Sequence, residues 1–425
     1  MRDGDLADRL RAIVGSGRAR TEVRLEPDAT RIAADATRVA RALEDVLNGA
    51  WEDDCFVVEH RVAPDSRCGR VLVGDLAARF RDAASDAAIV AGGPARAPFV
   101  FFDLETTGLN GGAGTHAWLV GCGRFDEDEA FVTRQYVLTR LADERPLLAA
   151  VARELSGAGA LVSFNGKSFD APLLEMRYAF HRLAWPGERL PHIDVLHPAR
   201  RFWRSRDVSQ PCSLGVLESD VLGAHRDGDV PGYEIPSRYF AFVRTGDARS
   251  LGGVLRHNRL DLLSLAGLSA RLFGLVREGP DSARDAGELL ALGRLYARAG
   301  LEAQSRAALV RAVASSDAGA HAGIRVDALR LLALAWRRVR QFDQAATCWK
   351  QLLDQPGCPR HVAREATEAL AIHHEHRVRD LDAARGFALR TLEHEECRTE
   401  RGAGLHRLAR IERKLGAAAR DARFW

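Results

Sequence analysis

One segment constrains this chain more than any other: Phe99-Val100-Phe101-Phe102-Asp103-Leu104-Glu105-Thr106-Thr107-Gly108, an apolar strand-like run that ends in two carboxylates before a glycine turn. In an extended chain residues two apart project to the same side, so Asp103 and Glu105 point together. Two like charges held side by side repel unless a cation sits between them. Taken alone, D-x-E is more simply a polar strand end leading into a turn, so any functional reading needs support from elsewhere in the chain.

Two further segments supply it. Ser163-Phe164-Asn165-Gly166-Lys167-Ser168-Phe169-Asp170 closes another apolar run, and the helix predicted from Ala171-Pro172 makes Asp170 a candidate N-cap as well as a candidate ligand. Arg256-His257-Asn258-Arg259-Leu260-Asp261 opens the helical stretch LLSLAGLSARLFGL, and His257 and Asp261, four apart, share a helix face. A His/Asp pair of this kind is by itself usually structural. The weight comes from three carboxylate-bearing segments recurring together.

The order of elements around these segments defines a fold class. FVFFD, THAWLVGCGRF and EAFVTRQYVL read as three consecutive strands, an antiparallel meander, followed by a helix (ERPLLAAVAREL), a strand (ALVSFN), a helix (APLLEMRYAFHRL), a short strand (HIDVL) and more helices. Strands first and alternating helix and strand afterwards make an α/β arrangement of the RNase H-like type: a mixed sheet flanked by helices. The expected division is residues 1–95 of unassigned role, an α/β domain over 96–276, a linker over 277–287 and an all-α helical repeat domain over 288–425. Within 1–95, residues 29–47 carry a helical pattern and CFVVEHRV and GRVLVGDL read as short strands. In the last part LLALGRLYARAGLEAQSRAAL, LRLLALAWRRVRQFDQAATCW and TEALAIHHEHRVRDLDAARGFAL align Tyr296, Trp336 and His374 about 40 residues apart, and GLHRLARIERKLG reads as a capping helix.

Charge excludes a global attraction to polyanions, because 61 basic residues face 58 acidic ones for a net charge of +3. A nucleic-acid surface would have to be local. Nearly all the bases are arginine, a bidentate phosphate donor, with lysine only at Lys167, Lys350 and Lys414. The seven cysteines follow no paired spacing and read as free thiols in a reducing compartment. With no secretory core at the N-terminus and no run of the ~20 apolar residues a span requires, the expectation is a cytoplasmic protein without a membrane partner.

The motifs D-x-E, N-x-x-x-F-D and H-x-x-x-D together resemble those of the DEDD exonuclease superfamily. That resemblance implies that Asp103, Glu105, Asp170 and Asp261 hold two divalent cations, Mg²⁺ or Mn²⁺ by their hard oxygen ligands, with His257 a candidate general base. Such ions would activate a water and stabilise the leaving 3′ oxygen of a phosphodiester. His257 stands four residues before Asp261, the spacing of the superfamily's tyrosine subclass, so the subclass stays open; His257 either takes the proton or orients Asp261. The stretches GGAGTHAWLVGCG, HIDVLHPARRFW, CSLGVLESDVLG, DVPGYEIPSRYFAF and HNRLDLLSL further resemble the YprB family across about residues 98 to 275. Membership would imply tetratricopeptide repeats behind the nuclease domain and a bacterial 3′ to 5′ DNA exonuclease of damage repair, working beside a helicase or other repair protein. The alternatives are a non-catalytic scaffold on a degenerate nuclease fold, and an exonuclease acting on RNA.

Candidate nucleic-acid contacts are Thr106, Thr107, Asn165 and Lys167 near the acids, with Arg200, Arg204 and Arg238 further off. Arg200 and Arg204 belong to HPARRFWRSR, where arginines interleave with aromatics as phosphate binding plus stacking requires, or as an amphipathic helix with solvated arginines would also show. Asp194, between a strand and a helix, reads first as a cap, and His116 as a local packing residue. Gly111-Gly112-Ala113-Gly114 lacks the Lys-Ser/Thr ending of a phosphate loop and reads as a turn.

Overall fold

The computed structural model describes residues 43–108, 114–203, 211–316, 322–394 and 398–421. Of the helix predicted over 29–47, residues 43–47 fall within these and are helical; the glycine turn at 111–113 and Arg204 lie outside them. The expected architecture is present: a mixed seven-stranded sheet with helices on its faces, then a region built of helices alone.

Strands β1 (Ala50–Glu52), β2 (Cys55–Val62), β5 (Phe99–Thr106), β6 (Ala117–Phe125), β7 (Phe131–Val137), β8 (Ala160–Ser163) and β9 (His192–Asp194) form the sheet in the order β1-β2-β7-β6-β5-β8-β9. The meander β5-β6-β7 and the β2–β7 and β1–β2 pairs are antiparallel, whereas β8 and β9 add in parallel beside β5. Strands β3 (Arg67–Cys68) and β4 (Val71–Leu72) make a separate small pair. The parallel half needs crossovers, supplied by α3 (Glu144–Leu155) after β7 and α4 (Asp170–Phe180) after β8. Residues 50–91, which the sequence left without a role, join this body. Strand β2 extends the sheet along β7, and α1 (Val73–Arg81) and α2 (Ala84–Ala91) bury Phe80, Ala87 and Val90 under it.

Alternation along β5 decides what each face receives. Val100, Phe102 and Leu104 enter the core with Trp118, Leu147 and Tyr178, while Phe99 and Phe101 enter the other with Phe80, Leu262 and Phe273. Asp103 and Glu105 share the parity of Phe99 and Phe101 and so lie under the long helix α8 (Arg249–Glu278), which crosses that face. After α5 (Leu196–Phe202), α6 (Leu214–Leu217) and α7 (Ile235–Thr245), α8 carries His257 and Asp261 well inside a 30-residue helix instead of at its start.

One hydrogen-bonded row docks α8 on the sheet. Asp103, Gly121 and Gln135 stand side by side on β5, β6 and β7. The Asn258 amide lies over the glycine: its Nδ2 donates to the Asp103 carboxylate at 2.8 Å and its Oδ1 accepts from Gln135 Nε2 at 2.8 Å. Gln135 Nε2 also reaches the Leu255 carbonyl at 2.8 Å. A side chain at position 121 has no room, since a Cβ there would stand 2.1 Å from Asn258 Oδ1.

Beyond α8 follow α9 (Ala286–Arg298), α10 (Glu302–Ser315), α11 (Ala322–Arg338), α12 (Phe342–Leu353), α13 (Arg360–His373), α14 (Leu381–Glu393) and α15 (Arg398–Asp421), each packed on the next. The expected linker over 277–287 takes up the end of α8, a 3₁₀ turn at Gly279–Ser282 and the Asp285 cap of α9. The fully buried Glu288 ties the two regions: its carboxylate accepts from Trp203 Nε1 at 2.8 Å, Arg271 Nη2 at 2.7 Å and Arg284 Nε at 2.8 Å. Among the described residues no helix is long and apolar enough to cross a membrane.

Gly121→Ala is expected to expel the Asn258 amide from its row and destabilise the protein by roughly 1–3 kcal/mol, the usual cost of overpacking. Urea denaturation checks this; an unchanged midpoint would mean that the row adapts and does not fix α8.

Candidate active site

The sheet and α8 bring together carboxylates from three distant parts of the sequence. Asp103 and Glu105 come from the end of β5, just before a register shift between Glu105 and Thr106, Asp170 from the first turn of α4, and Asp261 from α8. Their mutual field is strong. Burial first, then Asp261, Glu105 and Asp170, push the Asp103 carboxyl well above its ordinary range, and the Asn258 hydrogen bond only partly offsets this. Burial, with repulsion from Asp261 and Asp170, raises Glu105 to about 8. Burial and the nearby Asp194 raise Asp170 to about 7.

Several other buried acids among the described residues are neutralised. Glu144 meets Arg177 and His181, Glu288 meets Arg271 and Arg284, and Glu375 meets Arg410 and Lys414, which hold it down to about 2 in spite of burial. Among the described residues Glu105 and Asp170 have no basic partner, and Asp103 has only the neutral Asn258 amide. Desolvated like charges left unneutralised in this way are the donor set that a hard divalent cation fits. Among the described residues no group of three His, Cys, Asp or Glu side chains is arranged to hold a metal ion as it stands; the acids act on one another through their charges.

Asp170 does not cap its helix. It is already helical, Phe169 occupies the capping position, and no side-chain cap bond forms there. The loop before it is set by other residues. Asn165 takes a left-handed φ of 68°, and a Cβ on Gly166 would fall 2.4 Å from Ser163 Oγ, so the chain turns close over its own strand end. Asp194 holds the loop from β9, accepting the backbone N–H groups of Asn165 at 2.8 Å and Lys167 at 3.1 Å, and that of Leu196 at 3.1 Å at the start of α5. Val195, not Asp194, occupies the capping position of α5, so Asp194 supports the Asp170 loop and only steadies the first N–H of that helix.

His257 and Asp261 lie one turn apart on α8, with His257 Nε2 at 3.4 Å from Asp261 Oδ2. Two partners that the sequence does not reveal come from the segment before α7. Asp229 accepts from His257 Nδ1 at 2.9 Å. The Arg226 guanidinium forms ion pairs with Asp261 at 2.6 Å, Glu218 at 2.6 Å and Asp229 at 3.1 Å. Neither residue stands in a periodic element or a metal-ligand spacing; Asp229 opens the family-like stretch DVPGYEIPSRYFAF, but nothing in it marks a partner for His257. Asn258 lies inside the third motif, but its function depends on a sheet row that only tertiary structure creates.

The remaining candidates separate. Thr106 Oγ1 donates to the Gly108 carbonyl at 2.9 Å and Thr107 Oγ1 accepts from the His116 N–H at 3.0 Å, so both hydroxyls build the turn after β5. His116 Nδ1 lies 3.0 Å from Glu144, in a packed polar cluster. Lys167 and Arg200 are exposed, whereas Arg238 is paired with Glu234 at 2.9 Å.

Removing one of the repelling charges should stabilise the protein without metal. Asp103→Asn in EDTA is expected to raise the melting temperature, at a gain of about 0.5–2 kcal/mol, while Mg²⁺ or Mn²⁺ should stabilise the wild type and not the variant. Equal stabilisation of both by the metals would remove Asp103 from the ligand set.

Comparison with known proteins agrees with this geometry. A family described as RNase_H superfamily matches residues 100–273, a span that runs from β5 into α8 and holds all four acids. An uncharacterized protein of Bacillus subtilis (strain 168), YprB, is 32% identical over 323 residues, covering 75% of this chain and 75% of that protein. A sheet, a crossing helix and a likeness that extends through most of both sequences therefore make this chain a member of the YprB family with an RNase H superfamily domain.

Proposed function

We propose that this chain is a divalent-metal-dependent exonuclease of the DEDD type that hydrolyses phosphodiester bonds from the 3′ end of DNA in damage repair. The observation that carries this reading is the gathering of Asp103, Glu105, Asp170 and Asp261 from three separate segments into one field, where burial and repulsion raise three of the carboxyls above their ordinary range. RNase H-like nuclease chemistry supports the same assignment. The four carboxylates would hold two ions, Mg²⁺ or Mn²⁺, which when bound supply Lewis acidity to the phosphoryl group and the attacking water.

The chain's own residues supply the proton path. With Nδ1–H donated to Asp229, the neutral His257 imidazole keeps a lone pair on Nε2, the atom that faces Asp261. A water beside that carboxylate can pass its proton to Nε2, and Asp229 stabilises the imidazolium that results. Asp229 is thus a positioning residue. The four acids orient the phosphate and the water, and Asn258 keeps Asp103 aimed. The α/β body over 96–276 carries the chemistry, and the helical region over 288–425, a tetratricopeptide-like stack, contributes binding without catalytic groups. Free cysteines, several of them buried, fit a reducing cytoplasm.

Strands labelled at either end, single- and double-stranded, of DNA and of RNA, digested with Mn²⁺ and without it, test the reading; release of single nucleotides from the 3′ end of DNA is expected. Alanine at Asp103, Glu105, Asp170 or Asp261 should abolish nearly all of that activity, and no metal-dependent release from any strand would sink the proposal. His257→Ala should lower the rate by roughly 10²–10⁴-fold at saturating metal. Asp229→Asn should lower it less, and the double variant should be no slower than His257→Ala. Full activity of His257→Ala at high Mn²⁺ would show that His257 orients Asp261 instead of taking the proton.

A further inference from the structure

Away from the acids, a run of cavities connects the catalytic loop with the helical region. The first, about 520 Å³, opens beside the Asp170 loop and is lined by Lys167, His197, Arg201 and Arg298. The second, about 410 Å³, shares Arg201 and Arg298 with it and adds Arg294 and Arg338. The third, about 620 Å³, shares Arg338 with the second and adds Arg337, Arg340 and Arg377, the last lying 4.0 Å over the Phe342 ring. A continuous series of basic side chains thus leads from α5, next to the site, across α9 and α11 to α12 and the end of α13.

Carboxylates along this path are few, and Arg294 is taken by Asp327 at 2.7 Å. Asp194 lines the first cavity but is occupied by three backbone N–H groups. Glu302 lines the second and faces Arg338 at 3.5 Å. The third cavity has no acidic lining residue. Arg201 and Arg298 face one another across the junction of the two regions without a carboxylate partner among the described residues. Desolvation and then the charge of Arg201 push the Arg298 guanidinium below its ordinary value, as expected where two like charges await an anion. In a chain whose net charge is only +3, this is the local concentration of positive charge that a polyanion needs.

We infer that this arginine track binds the phosphate backbone of a nucleic-acid strand and leads it from the helical region to the acids. The inference deepens the proposed nuclease reading and rests on it for direction: the track ends at the loop carrying both Lys167 and Asp170, where a strand's end would have to arrive. Guanidiniums spaced along a groove contact phosphates and not base edges, so binding is insensitive to sequence. The helical region thereby takes on a substrate role, and Arg201, not only its neighbour Arg200, becomes a phosphate contact.

The test uses the full chain in EDTA and a fluorescent thirty-nucleotide DNA strand, with affinity read by anisotropy over a range of salt. Arg298→Glu with Arg338→Glu, both at exposed positions, should weaken binding by about tenfold or more. The slope of log affinity against log salt should become shallower by about 0.7 for each phosphate that the variant no longer neutralises. The milder pair Arg298→Gln with Arg338→Gln should fall between, which guards against a misfolded charge reversal. With Mn²⁺, cleavage of a trinucleotide should fall by a smaller factor than cleavage of the thirty-nucleotide strand in all variants. Undiminished strand affinity in both pairs overturns the track, as does displacement of the strand by polyglutamate at equal charge, which would mark a site for an acidic protein segment. Weakened binding in the variants together with no cleavage by the wild type would keep the track and remove the nuclease reading.

Discussion

The site depends first on the Asn258 amide. It is the contact through which α8 meets the polar row of the sheet, and it satisfies Asp103 on one side and Gln135 on the other above a glycine that leaves it space. A buried amide deprived of these partners would cost about 1–3 kcal/mol, so the helix has one favoured position on this face. His257 precedes Asn258 directly and Asp261 follows one turn later. Fixing one residue of α8 therefore fixes the third carboxylate segment and the imidazole relative to Asp103.

The electrostatics around that contact differ from those of the rest of the molecule. In the Glu144, Glu288 and Glu375 clusters a buried acid is matched with arginine, and these pairs hold elements together. At Asp103, Glu105 and Asp170 the same burial occurs without the matching base, and their carboxyls rise. Folding thus gives up stability at one place, a pattern expected where a ligand completes the charge balance. Asp261 is the exception within the group, because Arg226 meets it while also spanning Glu218 and Asp229. That arginine links the segment before α7 to α8 and steadies the His257–Asp229 pair.

Positive charge is arranged on a larger scale. The sequence balances its bases and acids almost evenly, yet the fold collects arginines from α5, α9 and α11 along the junction between the sheet domain and the helices. Glu288, buried beneath Trp203, Arg271 and Arg284, ties the two regions together beside this junction. A cluster of acids and a positive path leading to it are complementary: in the proposed reading one would hold cations and the other a polyanion.

By itself the sequence determined the strands of the meander and where the acids stand on them, though it read residues 73–76, the start of α1, as strand. Apolar alternation in 99–106, 117–125 and 131–137 identifies strands because side chains on a strand face opposite sides, and the same rule places Asp103 and Glu105 together. Period and position also indicated Asp170 after a strand and His257 with Asp261 on one helix face. Tertiary structure alone decided the rest. Whether Asp170 caps its helix depended on how the 163–170 loop turns, which Asp194 governs from another strand. Asp229 and Arg226 lie in a segment with no periodicity and reach the site through contacts some thirty residues away in sequence. Gly121 looks like any strand glycine until Asn258 is laid over it. In the arginine-rich stretch of α5, composition could not distinguish Arg200 from Arg201, because the turn of a short helix and the packing of α9 beside it choose which guanidinium lines the groove. Local propensity is a property of neighbours in the chain, whereas convergence of charge is a property of neighbours in space.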